Sequence, residues 1–180
     1  MKGMVFTELL DMVEATFGAE ILEESLVEAE LPHGGAYTAV GTYPHEEIVR
    51  IVMALSRRVG VPPADLAKAF GCYLFDRFSQ TYGRFFTGVN HAFDLLANVE
   101  THIHSEVRKL YPDALLPTFD TSQPDADTLV MVYRSKRGFA DLAEGLMLGA
   151  IQHFDEKIEL SREDFTDARG KATRFILRQT

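Results

Sequence analysis

A helical first two thirds followed by a short β-rich remainder predicts an α+β fold, with a helical N-terminal part packed on a small antiparallel sheet. Two observations carry the prediction. Apolar residues recur at helical three-to-four spacing as far as Leu110, and from Asp127 the pattern changes to alternation rich in Val and Tyr. No repeat, low-complexity tract or long linker interrupts residues 1–180, so they read as a single domain.

Each element follows from local chemistry. Val5, Leu9, Met12, Val13 and Phe17 form one stripe, and Gly18 ends that helix. "AEILEESLVEAEL" (19–31) is a second, acid-rich amphipathic helix stopped by Pro32. Its acids, Glu20, Glu23, Glu24, Glu28 and Glu30, read as a solvated face. "HGGAYTAVGTYP" (33–44) is a loop, bent by glycines and closed by proline. Helices follow at 45–59 and 63–82, the latter with Pro63 in its first turn. Gly71 is costly inside a helix, which points to a close contact or bend there. One further helix is expected from Val89 through His102 and His104 to Leu110, ended by Tyr111-Pro112. "DTLVMVYRSKRG" (127–138) is a strand, 139–158 a helix, and 158–163 and 171–180 are strand candidates.

Composition excludes several classes. A hydrophobic fraction of 46% with 25% charged residues is that of a globular chain, and no apolar run is long enough to span a membrane. Acidic residues interrupt the N-terminal apolar positions, unlike a secretory signal. A net charge of −9 argues against nucleic acid or an anionic membrane as partner. The lone Cys72 allows no internal disulfide or Cys-rich metal site and reads as a small buried hydrophobe. The expected location is the cytoplasm.

Two features hold candidate chemistry. His102 and His104 are two apart on a helix, about 200° around its axis, so they cannot serve one metal from the same face. Taken alone, they read as surface or hydrogen-bonded core histidines. In "YRSKR", a strand would aim Tyr133, Ser135 and Arg137 at one side, offering two hydroxyls and a guanidinium. Alone, that set is better read as the polar outer face of a half-exposed strand. Together, an imidazole in an apolar pocket and a fork suited to carboxylates describe how proteins hold haem: nitrogen on iron, fork on propionates.

The chain resembles the H-NOX family, the haem–nitric oxide/oxygen binding domains, through "MKG" at its start, "HSEVRKLYPDALLPTF" (104–119) and "YRSKR" (133–137), the family's Y-x-S-x-R motif. The resemblance covers Met1 to Thr180, with 1–60 as an N-terminal helical subdomain and 61–180 bearing the haem. It implies haem b, an axial ligand at His104 (seven before the Tyr of Tyr-Pro) and propionate binding by Tyr133, Ser135 and Arg137. It also implies a haem-distorting proline at Pro117 and distal-pocket residues at Val5, Leu9, Phe78, Leu142 and Leu146. Oxygen-binding members carry a tyrosine where this chain has Leu142, so the implied function is a non-enzymatic sensor of NO (and CO) at five-coordinate ferrous haem that excludes O₂. The zinc site of some members lacks its cysteines here. Family partners are histidine kinases or cyclic-di-GMP enzymes. The competing expectations are an O₂ sensor using Tyr73 or Tyr82, a haem-free carboxylate-binding protein, and a metal enzyme using His102 or His104 with Glu106.

Overall fold

The computed structural model describes residues 1–180 and has the expected α+β architecture. Helices α1 (Gly3–Phe17), α2 (Ala19–Glu28), α3 (His45–Val59) and α4 (Pro63–Thr81) come first. A 3₁₀ turn (Gly83–Phe86) leads into α5 (Ala92–Ala97), a π-helical turn (Val99–His104) and α6 (Ser105–Leu110). Strands β1 (Thr118–Asp125) and β2 (Thr128–Arg134), helix α7 (Ala140–His153), and strands β3 (Ile158–Asp167) and β4 (Gly170–Gln179) complete the chain. The sheet is antiparallel throughout, in the order β1-β2-β4-β3.

Two apolar clusters organise the molecule. Phe6, Leu9 and Val13 of α1 meet Ile51 and Leu55 of α3 and Phe70 of α4, each nearly inaccessible to water. On the other side Leu129 and Met131 of β2, Phe175 and Leu177 of β4, and Met147 of α7 close the second cluster. The strand alternation is what makes this possible, since every second residue of β2 faces the helices.

Two contacts allow no side chain. A Cβ on Gly71 of α4 would lie 2.4 Å from the Leu142 carbonyl oxygen, and one on Gly145 of α7 would lie 2.1 Å from that of Lys68. The expected close contact at Gly71 is therefore the crossing of α4 and α7, backbone against backbone. A Cβ on Gly3 would likewise strike Thr38, because the 38–42 loop lies across the start of α1 and accepts the Gly3 N–H at Gly41.

Four expectations need correction. The long helix from Val89 to Leu110 is broken: Asn98 leaves helical geometry and the π-helical turn inserts before α6. Helix α7 stops at His153 rather than 158, where Asp155 takes a positive φ of 53°. Strand β1 was not expected, because Pro124 and polar side chains hide it; such residues are tolerated at an exposed edge. Finally, β2 ends at Arg134, so Ser135 and Arg137 lie in the turn beyond it rather than on strand positions.

Candidate functional site

The space between the two clusters is a cavity of about 410 Å³, and 27 of its 34 lining residues are hydrophobic. Such a volume with so few polar groups suits a large, flat, mostly apolar ligand held by a few polar contacts. The start of α1, the middle of α4, the π-helical turn, the 111–117 loop, β2 and α7 all contribute walls.

Of the two histidines, one faces this space. His104 lines the cavity with its side chain 12% accessible, whereas His102 does not line it and sits edge-on to the Phe85 ring. The opposite faces expected from their two-residue separation persist through the π-helical turn. Single π turns inserted into helices recur at functional sites. Here the turn places Glu100 against the imidazole: His104 Nδ1 lies 2.9 Å from Glu100 Oε1. The carboxylate accepts, so Nδ1 carries the proton and Nε2 keeps its lone pair. Burial holds the His104 pKa below the ordinary histidine value, outweighing the pull of Glu100, so the ring is neutral near pH 7. A neutral imidazole fixed by a carboxylate at its far nitrogen is the usual state of a metal-binding histidine.

The fork assembles although the strand stops short. Tyr133 is the last inward-facing residue of β2 and 4% accessible. Burial raises its pKa, so the phenol stays protonated as a donor. The Arg137 N–H donates to Ser135 Oγ at 3.1 Å, a short turn that carries both residues to the cavity edge. The Arg137 guanidinium, half-buried, has no carboxylate and no hydrogen-bond acceptor within the protein. A fixed charge left unpaired beside an apolar space calls for an anionic group on the occupant.

Val5, Phe78, Leu142, Leu146 and Pro117 all line the cavity. Leu9 does not. One helical turn beyond Val5, it is about 6 Å further along α1 and is enclosed by the N-terminal cluster at 1% accessibility. One residue comes in that the sequence did not single out, and one of the two tyrosines named as oxygen donors reaches the cavity. Glu100 was legible as a neighbour of His104 on the helix, but its contact depends on the π turn. Tyr82, on the chain just beyond α4, also lines the cavity, while Tyr73 does not. The hydroxyl of Tyr82 reaches only a thioether, Met4 Sδ, at 3.9 Å.

The structure gathers no group of three or more His, Cys, Asp or Glu side chains able to hold a metal ion, so Glu106 and His102 do not join His104 in a hydrolytic centre. No helix is long and apolar enough to cross a membrane. The residues present fit haem: one available imidazole nitrogen, apolar walls, and a free guanidinium with two hydroxyls for its carboxylates.

The comparisons with known proteins agree. The family described as haem-NO-binding matches residues 2–162. The H-NOX protein of K. algicida, in the Fe(II) unliganded A71G mutant, is 36% identical with a TM-score of 0.92, over 100% of this chain and 97% of that one. The S. oneidensis H-NOX protein, in its Fe(II)NO state, is 30% identical with a TM-score of 0.90, over 100% and 99%. That of Shewanella woodyi, bound to IWP-051 in the Fe(II)CO state, is 37% identical with a TM-score of 0.85, over 100% and 95%. No curated protein matches the chain. With its fold and its whole length in common with these proteins, and the haem-NO-binding family matched over residues 2–162, the chain belongs to the H-NOX family of haem-binding gas sensors, which are sensor domains and not enzymes.

Proposed function

We propose that this chain senses NO through haem b held by His104, takes CO as well, excludes O₂, and passes the signal to a separate protein. The observation that carries the reading is the pairing of one neutral imidazole with an apolar wall of Val5, Phe78, Leu142 and Leu146 around the same cavity. Ferrous haem with a single histidine ligand supplies a site for a diatomic gas. The protein's share is to present Nε2 of His104, keep out water, and withhold a hydrogen-bond donor at Leu142. NO binds ferrous haem tightly without such a donor, and the relative from S. oneidensis has been characterised in an Fe(II)NO state. Haem b rather than a covalently attached haem is supported by the lone Cys72, which donates to the Gly145 carbonyl and does not line the cavity.

Tyr133, Ser135 and Arg137 are assigned to the propionates. Arg137→Ala should weaken haem retention more than Ser135→Ala, because a hydrogen bond to a charged group contributes about 1.5–3 kcal/mol against about 1 for a neutral one. The measurement is the rate of haem transfer to apomyoglobin, expected to rise about 10- to 100-fold for the arginine variant. If neither variant changed that rate, the fork would revert to a polar surface.

Residues 1–60 and 61–180 are read as two subdomains facing each other across the cavity. Lys2 connects them, pairing with Asp113 at 2.9 Å and lying over the Tyr111 ring. A shift of the histidine turn is then felt at the first helix, a two-state element that a gas ligand can bias. The partner fits a histidine kinase or a cyclic-di-GMP enzyme, and the cytoplasm is the matching compartment.

One observation favours a second reading. Tyr82 is a phenol in the cavity wall with no strong acceptor, and a donor aimed at bound dioxygen would make the protein an O₂ sensor. The absorption spectrum of the reduced protein under argon, air, CO and NO tests both readings. The absence of a Soret band after haem addition would eliminate both and leave a haem-free carboxylate-binding protein.

A further inference from the structure

We infer that Glu100 is a positioning residue that sets the strength and direction of the axial histidine and couples it to the edge of the sheet. The inference rests on the reading of His104 as the haem ligand. Three hydrogen bonds converge on this one carboxylate. Oε1 receives His104 Nδ1 at 2.9 Å and the backbone N–H of Phe119 at 3.0 Å, and Oε2 receives the Arg108 guanidinium at 3.2 Å. The side chain is 26% accessible, so these contacts are only partly screened.

The arrangement is specific to this backbone. In the π-helical turn Val99–His104 the chain widens, and Glu100 reaches both its neighbour four residues on and the start of β1. Phe119, whose N–H it holds, also places its ring 5.9 Å from the His104 ring and lines the cavity. The imidazole is thus fixed through its Nδ1 proton and across its face by groups tied to one carboxylate. A carboxylate accepting the far N–H fixes the tautomer, orients the ring and raises the basicity of the ligating nitrogen. Arg108 draws on the other oxygen and tempers that effect.

Two consequences follow for the sensor. With haem bound, the bond that His104 Nε2 would make to iron should be stronger than one supported by a neutral acceptor. Movement of His104 should also be transmitted to β1 through the shared oxygen, a route independent of Lys2.

The test uses the haem-loaded protein with Glu100→Gln and Glu100→Leu. Glutamine keeps the size and an acceptor oxygen for Phe119 but removes the charge; leucine removes both acceptors. The iron–histidine stretching band of the reduced, gas-free protein should move to lower frequency in Glu100→Gln and further in Glu100→Leu, and Glu100→Asp should recover part of the shift. Haem transfer to apomyoglobin should speed up by about 10- to 100-fold in Glu100→Leu, the usual penalty for losing an outer-shell partner. Circular dichroism and thermal melting of the haem-loaded variants control for folding. Should Glu100→Leu fail to fold, the glutamine variant decides. An unmoved stretching band in a folded Glu100→Gln overturns the inference while leaving His104 as ligand. A wild-type protein without an iron–histidine band overturns both.

Discussion

His104→Gly should give a folded protein that keeps haem only when imidazole is added, while His102→Gly should keep the wild-type spectrum. The expectation rests on where the two side chains lie. His104 faces the cavity with Glu100 fixing its outer nitrogen, so its removal deletes the one imidazole nitrogen available to iron. His102 makes an edge contact with Phe85 and lies outside the cavity lining, so its removal deletes a partly exposed aromatic contact. Added imidazole can enter the space left by the truncated side chain, and recovery of the Soret band on titration would place the effect at the axial bond rather than in the fold. The reverse pattern, with His102→Gly losing haem, would mean that the register of the histidine turn is misassigned.

The second large effect concerns gas selectivity. The reduced protein should keep its gas-free spectrum in air for long enough to record and should change with CO and with NO. Bound dioxygen takes on negative charge and needs a donor, whereas Leu142 and Leu146 of α7 and Phe78 of α4 present hydrocarbon. Leaving a polarised group unpaired in such a wall costs about 1–3 kcal/mol on protein mutational scales. That amounts to about one to two orders of magnitude in affinity. Leu142→Tyr should gain affinity for O₂, read as a shift of the Soret band in air. A stable oxygen complex in the wild type would sink the NO-selective reading and turn attention to Tyr82. Tyr82→Phe would then abolish that complex if the phenol were the donor, and burial keeps that phenol protonated and able to donate.

Much of this was legible in the sequence where side-chain chemistry and local pattern agree. The apolar stripe of α1, the strongly two-sided α3 and the alternation of β2 and β4 each match one period, and their burial follows it. His104 and the Tyr-Ser-Arg spacing were legible as a candidate site, and all four residues border one cavity. What stayed hidden depends on backbone detail. Spacing cannot distinguish an α turn from a π turn, so the reach of Glu100 to Phe119 was out of view. Leu9 has the same stripe as Val5, yet only packing decides that one lies against the cavity and the other inside the N-terminal cluster. Ser135 and Arg137 reach the cavity edge through the turn beyond β2 and not through the strand alternation that pointed to them.

The polar edge strand β1 has a bearing on solubility. A four-stranded sheet that does not close has two open edges, and an open edge of regular, apolar residues is a template for another chain. Here the β1 edge breaks register between Ser122 and Asp125 and carries Pro124, which has no N–H to offer. The opposite edge, β3, exposes Glu159, Arg162, Glu163 and Asp164 along its length. Chain-to-chain strand addition therefore meets a kink and a missing donor on one side and a row of charges on the other. Replacing these residues with flat, β-branched ones would remove the obstacle to fibrous assembly without touching the cavity.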